Sequence, residues 1–284
     1  MIKFMDVTKQ YPRTTAMDHV TLELSENRIY CLLGRNGAGK TTMLKLIAGH
    51  INASSGMVMV DGKKAGTLQM PGCVNFIESR ASLFNLRVID LINIAKDLQD
   101  DFDVEFAQNI LGKFRLGKEK KYKQLSLGMQ TMVTTLLSLA SNSKIVILDE
   151  PVLGFDAIMR KQFYTMLTES FENHPRIIIV STHLIDEIAK TADELIIIDG
   201  GRILLQSSIS DIDEKAYSLT GLTDKVKSLI KGLNVIGEKT IGGFTSASIF
   251  DRRIDASDGI TIQSLGLQEF FINMVGGNEN EESF

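Results

Sequence analysis

A glycine-rich segment, residues 34–42, has the composition and spacing of a phosphate-binding loop. The pattern GxxxxGK, followed by a hydroxyl residue, is matched by Gly34-Arg35-Asn36-Gly37-Ala38-Gly39-Lys40-Thr41-Thr42. Its glycines allow tight turns, so that backbone N–H groups and a following helix N-terminus can meet phosphate oxygens. Lys40 is placed to reach the β and γ phosphates, Thr41 to give its hydroxyl to Mg²⁺, and Thr42 to help hold the α phosphate. The segment therefore predicts a site for the phosphates of a nucleotide.

A second candidate for chemistry is the acidic pair Asp149 and Glu150, which follows the apolar residues 145–148. A buried strand over those residues would deliver both carboxylates to its carboxyl end, where ligand sites form in open α/β sheets. Asp149 fits a partner of Mg²⁺. Glu150, pointing the other way by strand alternation, fits a base that orients and deprotonates an attacking water. Acidic residues at a strand end can also be merely solvated, but these accompany a phosphate loop.

Four apolar runs could form the sheet that positions these groups. They cover residues 29–33, 145–148, 177–181 and 195–198. Because none alternates polar with apolar side chains, we expect strands covered on both faces, as in a parallel α/β sheet. Helical spacing of apolar residues predicts an inserted block of packed helices. It recurs over residues 88–95, 107–114 and 129–140.

The character of the chain changes after Gln206. Residues 206–284 carry 7 basic and 12 acidic side chains, whereas the whole chain carries 31 basic and 35 acidic side chains. The excess of acidic residues is therefore concentrated after Gln206. Short patterns there predict a small α+β unit. Its expected elements are a strand at 216–220, a helix at 224–231, one or two strands over 240–250 and a helix at 266–275, before a polar, acidic ending at 276–284.

The composition excludes several classes of protein. With 44% hydrophobic and 23% charged residues and a net charge of −4, the chain has the balance of a folded globular protein. The longest uncharged stretch, residues 124–143, carries too many polar side chains to span a bilayer. The lack of a sustained basic run argues against nucleic acid as a partner. Two cysteines in apolar surroundings, and a first segment without a signal-peptide pattern, lead us to expect a cytoplasmic protein.

The order of the motifs resembles that of a known family. The segment Leu125-Ser126-Leu127-Gly128-Met129-Gln130, twenty residues ahead of Ile145, resembles the signature motif, usually LSGGQ, of the ATP-binding subunits of ABC transporters. Alone, such a hexapeptide is often an ordinary helix cap. The resemblance covers about residues 2–208.

The resemblance implies an α/β fold, a P-loop ABC-type ATPase. Its parts are a mixed core sheet, an N-terminal antiparallel β part and an inserted helical subdomain at about residues 79–141. Together they would form a nucleotide-binding domain over residues 1–208. Residues 209–284 are then expected to form a small α+β C-terminal accessory domain with an acidic tail.

The resemblance also implies roles for residues outside the phosphate loop. Ser126 and Gly128 would address the γ phosphate of ATP held by a second subunit. Tyr11 would stack on adenine, although a tyrosine in a β-rich segment is often a packing residue. Asp156 would belong to a loop that couples two ATP sites. His183 would contact the γ phosphate and hold the water-activating carboxylate.

Five residues depart from the family pattern. Glu78 stands where the family has a Gln that binds Mg²⁺ and senses the membrane partner. Its carboxylate can still meet the metal, but it adds a negative charge. Leu127 replaces the first signature glycine and Met129 the usual Gln, which could weaken the phosphate contact. Val152 replaces a frequent Thr and Phe155 a frequent Leu. Because the lysine, carboxylates and histidine named above are all present, we expect hydrolysis to survive.

The implied function is that of an ATP-binding and ATP-hydrolysing motor subunit, with ATP and Mg²⁺ as cofactors. Two such subunits, as a homodimer or heterodimer, would close over two ATP molecules and drive a separately encoded integral-membrane permease. The chain would then lie peripherally on the inner face of the cell membrane. The residues that depart from the family pattern resemble those of a branch that exports drugs and antimicrobial peptides. Two alternatives stay open: a soluble ABC-type ATPase for iron–sulfur assembly, and a nucleotide-gated module without significant hydrolysis.

Overall fold

The computed structural model describes residues 1–67, 73–78, 85–255 and 258–276. The expected start of the helical subdomain at Ser79 and the acidic ending beyond Gly276 lie outside these residues. The elements as far as residue 140 are β1 (Ile2–Tyr11), β2 (Thr14–Leu24), β3 (Ile29–Leu33), α1 (Lys40–Ile47), β4 (Ser55–Val60), β5 (Lys63–Lys64), β6 (Val74–Glu78), α2 (Val88–Leu98), α3 (Val104–Lys113) and α4 (Leu127–Ala140). Those that follow are β7 (Ile145–Asp149), α5 (Ala157–Asn173), β8 (Ile177–Ser181), α6 (Ile185–Ile188), β9 (Glu194–Asp199), β10 (Arg202–Ser208), α7 (Ile209–Lys215), β11 (Ala216–Leu222), α8 (Thr223–Leu229), β12 (Val235–Ile241), β13 (Phe244–Phe250), β14 (Ile260–Ser264) and α9 (Leu267–Gly276).

A six-stranded sheet, in the order β10-β9-β3-β8-β7-β6, forms the centre of the fold. Its neighbours from β9 to β6 pair in parallel, and β10 pairs with β9 in the antiparallel sense. Every residue of β3, β7 and β8 is buried, which confirms the prediction made from the continuous apolar runs. Because parallel strands end on the same side, the carboxyl ends of β3, β6, β7 and β8 share one edge.

A second sheet packs over one face of the central sheet, with α1 contributing to the core between them. Its strand order is β2-β1-β4-β5, and its pairings are antiparallel. The core joins Phe4 and Leu24 of this sheet to Leu44 of α1 and Ile147 of β7. The N-terminal antiparallel part expected from the sequence is therefore present, and it holds α1 against the central sheet.

Helices α2, α3 and α4 contribute to the core on the other side of the central sheet. Their apolar positions, such as Ile92, Ile110 and Leu136, share a core with Val146 and Leu148 of β7. This confirms the helices predicted from spacing between residues 88 and 140. Within the residues that the structure describes, no helix combines the length and the hydropathy needed to cross a membrane.

The C-terminal part is a third, antiparallel sheet in the order β12-β13-β11-β14. Val226 of α8 packs against Tyr217 and other buried residues of this sheet. On α9, Phe270 meets Phe250 edge to face, with ring centroids 5.0 Å apart, and belongs to the main core. The strands and helices predicted over 216–275 are confirmed. The sequence patterns had not indicated α7 or β14, because each is short and mostly polar.

One buried cation ties the ends of two helices together. Arg176 is 4% exposed, and its guanidinium donates to the backbone carbonyls of Leu139, Ser170 and His174 at 2.7–3.0 Å. Leu139 lies in the last turn of α4 and Ser170 in the last turn of α5, where carbonyls often lack a partner in their own helix. The Ser170 carbonyl also accepts from the N–H of His174. Burial lowers the pKa of Arg176 to about 10, so the side chain remains charged at neutral pH.

We expect Arg176→Met to lower the free energy of unfolding by about 2–4 kcal/mol, because the substitution removes the four hydrogen bonds that the buried guanidinium donates. Urea denaturation followed by circular dichroism measures the change. The control is Lys161→Met on the exposed side of α5, which should cost less than about 0.5 kcal/mol. Equal losses for the two variants would contradict the assigned role of Arg176.

Candidate functional site

The phosphate loop connects β3 to α1, and its glycines are required for two different reasons. Gly37 and Gly39 have φ angles of 84° and 110°, a region that side chains disfavour. At Gly34 the constraint is space, because a Cβ atom there would lie 2.4 Å from the carbonyl oxygen of Ile198. A Cβ at Gly39 would similarly lie 2.4 Å from the carbonyl oxygen of Ala16. The loop therefore lies tightly against β2 and the end of β9.

Lys40, the first residue of α1, folds back across the loop. Its side-chain ammonium donates to the carbonyls of Gly34 at 2.7 Å and Arg35 at 3.2 Å. Lys40 is only 9% exposed, so its positive charge lies within the loop. The adjoining cavity has a volume of about 250 Å³. It is lined by Ala16, Arg35, Asn36, Gly37, Gly39, Lys40, Thr41, Thr42, Asp149 and Glu150.

Asp149, the last residue of β7, is fixed by two hydroxyl groups. Thr41 Oγ1 donates to Asp149 Oδ2 at 2.8 Å, and Ser181 Oγ donates to Asp149 Oδ1. A hydroxyl and a carboxylate side by side are the hard oxygen ligands that Mg²⁺ prefers, with phosphate oxygens and water completing its shell. The donor set therefore fits the predicted metal. Ser181 is not among the site residues predicted from the sequence. The signal that could have identified it is its position as the polar residue at the end of an apolar run.

Glu150 adopts a left-handed backbone conformation, with φ 49°. Its side chain therefore leaves the line of β7 through a turn, and the expected strand alternation is not the reason for its direction. The N–H of Glu150 is placed against Ser181, 3.0 Å from Oγ and 3.1 Å from the carbonyl oxygen. Its carboxylate Oε2 lies 2.9 Å from Nδ1 of His183, so two of the predicted catalytic residues, which also include Lys40, are in direct contact.

Tyr11 and Glu78 are among the predicted site residues that do not line the cavity. Tyr11, at the end of β1, is 44% exposed, and the ammonium of Lys9 lies 5.2 Å from its ring centroid. Glu78 pairs with Asp149 in the register of β6 and β7. The Glu78 carboxylate, however, contacts Lys45 Nζ at 2.7 Å.

Ser126 and Gly128 lie at the beginning of α4, away from the residues that line the cavity. Ser126 is the N-cap, and its Oγ accepts from the N–H of Met129 at 3.3 Å. A Cβ at Gly128 would lie 2.9 Å from Met159 Cε, so glycine lets α4 approach the start of α5. Asp156 caps α5 in the same way, through the N–H of Met159. Both caps order helix N-termini outside the phosphate site.

The chain is similar in sequence to known proteins. A family model described as ABC transporter matches residues 17–153. An uncharacterised ABC transporter ATP-binding protein of Methanocaldococcus jannaschii is 31% identical over 220 residues, which is 75% of this chain and 80% of that protein. The lantibiotic transport ATP-binding protein SrtF of Streptococcus pyogenes is 28% identical over 208 residues, 72% of this chain and 90% of that protein.

The fold is also similar to that of solved structures. One is described as the dimeric structure of a post-hydrolysis state of an ATP-binding cassette bound to ADP and Pi. It has a TM-score of 0.64 at 22% sequence identity and covers 74% of this chain and 99% of that chain. The similarity confirms the predicted fold class, with its antiparallel N-terminal sheet, mixed core sheet and helical part.

Lys40→Met should weaken the binding of ATP by about 10- to 100-fold, because it removes charge-assisted hydrogen bonds to the phosphates. Titration with a fluorescent ATP analogue measures the affinity. The matched control, Lys118→Met, removes an exposed lysine from the loop between α3 and α4 and should bind as the wild type does. Unchanged affinity in the Lys40 variant would show that the loop is not the phosphate site.

Proposed function

The chain belongs to the family of ABC transporter ATP-binding proteins, and we propose that it is the ATP-hydrolysing motor of a transporter with a separately encoded membrane subunit. The observation that carries this proposal is the convergence of a lysine, a hydroxyl group and two carboxylates on one cavity. They are provided by Lys40, Thr41, Asp149 and Glu150, and His183 contacts the last of them. ATP hydrolysis is typical of the family.

The chemistry that we propose is in-line attack of water on the γ phosphate. The backbone N–H groups of the loop and the Lys40 ammonium bind the phosphates and offset their charge. Mg²⁺, held by the Thr41 hydroxyl and the Asp149 carboxylate, would supply further charge on the phosphate side. Glu150 orients the water and takes its proton, in a reaction that depends mainly on positioning and electrostatics.

His183 has two tasks in this proposal. With Nδ1 it holds Glu150 Oε2 at 2.9 Å, which fixes the direction of the carboxylate. The other ring nitrogen, Nε2, is then the one placed for the γ phosphate, and it donates when it carries a proton. Since the ring is more than half exposed, a phosphate can reach it from the solvent side.

We further propose that two subunits complete each site. Ser126 and Gly128 lie outside the cavity of their own chain, so a second subunit would have to bring them to the γ phosphate. The cavity volume of about 250 Å³ is also below the range of about 300–1,000 Å³ that is usual for small-molecule sites. Dimer closure over ATP, and its release by hydrolysis, would supply the motion that the membrane subunit uses.

Export is the direction that we propose for this transporter. It is supported by the similarity to a lantibiotic transport ATP-binding protein. The place of the chain is then the inner face of the cell membrane, where the membrane subunit holds it. The membrane subunit would also carry the site for the transported substrate.

We propose a division into a nucleotide-binding domain at residues 1–208 and an accessory domain at residues 209–284, with a helical subdomain at about 79–141. The first boundary is supported by the end of β10 at Ser208 and by a separate core within the third sheet. The helical subdomain is supported by the helices α2 to α4, which lie between Val88 and Ala140.

Glu150→Gln should retain ATP binding and lose turnover by about 100-fold or more, since the amide cannot take a proton from water. Phosphate release measures the turnover, and a fluorescent ATP analogue measures the affinity. With hydrolysis blocked, gel filtration with ATP and Mg²⁺ should show more dimer than for the wild type. The control is Glu187→Gln on α6. Turnover at the wild-type level in the Glu150 variant would refute the assignment of the base.

Purification of the tagged protein from native membranes should recover a hydrophobic membrane protein with several spans. The ATPase activity of the purified complex should be lost when the tagged protein carries Glu150→Gln. Active protein with soluble partners alone would instead favour the iron–sulfur assembly alternative. A membrane partner with an inactive wild type would favour the nucleotide-gated module.

A further inference from the structure

Glu78 adds a carboxylate at the edge of the central sheet where the phosphates are expected. It is the last residue of β6, and strand register places it directly beside Asp149 on β7. Glu150 follows Asp149 in the chain. A third negative charge close to this pair would repel both carboxylates and a bound triphosphate. The site therefore needs a compensating charge for Glu78.

Lys45 of α1 provides that charge. Its Nζ lies 2.7 Å from Glu78 Oε1, and the lysine side chain is 33% exposed. A lysine ammonium is protonated at neutral pH, so this contact is an ion pair. Because both partners are partly exposed, the pair adds little to the stability of the fold. Its main effect is therefore on the charge of the site.

The position of Lys45 on α1 links this ion pair to the phosphate loop. Lys45 lies four residues after Thr41, so the two side chains are on the same face of the helix. Thr41 contacts Asp149 at the end of β7, and Lys45 contacts Glu78 at the end of β6. One helix face thus holds two neighbouring strand ends, and the same helix begins at Lys40.

We propose that Lys45 is a positioning residue that cancels the charge of Glu78 and fixes its carboxylate beside Asp149, so that residues 45 and 78 together add no net charge to the ATP site. This inference rests on the proposed function, because it concerns the affinity for ATP. It does not require Glu78 to contact the metal directly. It predicts that the effect of removing Lys45 depends on the residue at position 78.

The test is the affinity for ATP in the presence of EDTA, which reports on charge without a metal. Lys45→Met should weaken binding about three- to tenfold, because Glu78 is left unpaired near the phosphates. Glu78→Gln should strengthen binding about two- to fivefold, because the cation is left unpaired. The double variant should return to within about twofold of the wild type, and Lys45→Arg should stay close to it.

A matched control lies at the opposite end of β7. Lys144, just before this strand, pairs with Asp61 at 2.9 Å. Lys144→Met removes a similar ion pair but should leave the affinity for ATP unchanged. Melting temperatures should move little, and by similar amounts, in the two lysine variants. If Lys45→Met loses affinity for ATP and Lys144→Met does not, the loss is therefore not a general effect on the fold.

The outcomes separate this inference from the function on which it rests. If Lys45→Met weakens binding and Glu78→Gln does not restore it, Lys45 acts on the nucleotide or the fold, and the inference is wrong. The inference is also wrong if neither single variant changes the affinity while Lys40→Met still weakens it, and in that case the proposed function stands. If the wild type itself fails to bind ATP, both the inference and the proposed function fall.

Discussion

The shared carboxyl edge of four parallel strands is the constraint on which the rest of the site depends. Strand register sets Glu78, Asp149 and Ser181 side by side at this edge, and the loop after β3 reaches it between β8 and β9. The hydrogen bond from Thr41 to Asp149 then joins α1 to β7. Since α1 begins with Lys40, the strand pairing and this bond together determine where the phosphate loop lies relative to the carboxylates.

Each carboxylate of the site has a partner of its own. Asp149 accepts from two hydroxyl groups, Glu150 contacts His183, and Glu78 pairs with Lys45. The four partner residues come from α1 (Thr41 and Lys45), from the end of β8 (Ser181) and from the segment just after it (His183). Such pairing lets a site rich in negative charge bind a triphosphate, because the repulsion is offset locally rather than by a net positive surface. It also suits the division of roles that we propose, with Asp149 for the metal and Glu150 for water.

Much of this arrangement could be predicted from local sequence patterns. Continuous apolar runs identified the buried strands, and the glycine spacing with Lys40 identified the loop, because both signals lie within a few neighbouring residues. The roles of Ser181 and Lys45 could not be read in this way. Ser181 contacts Asp149, 32 positions away in the sequence, and Lys45 contacts Glu78 on β6. Both contacts therefore depend on tertiary structure. The φ angle of 49° at Glu150 likewise had no local signal, because glycine is the residue that usually adopts this conformation.

In the dimer that we propose, a complete site takes its phosphate loop from one subunit and Ser126 from another. We would mix two variants, Lys40→Met and Ser126→Phe, at concentrations where the wild type hydrolyses ATP, and measure phosphate release. Each variant alone should be inactive. A mixed dimer has one intact site, made by the loop of one chain and the α4 N-terminus of the other, so mixing should restore about a quarter of the wild-type activity. A mixture as inactive as its components, or full activity of Ser126→Phe alone, would contradict the account.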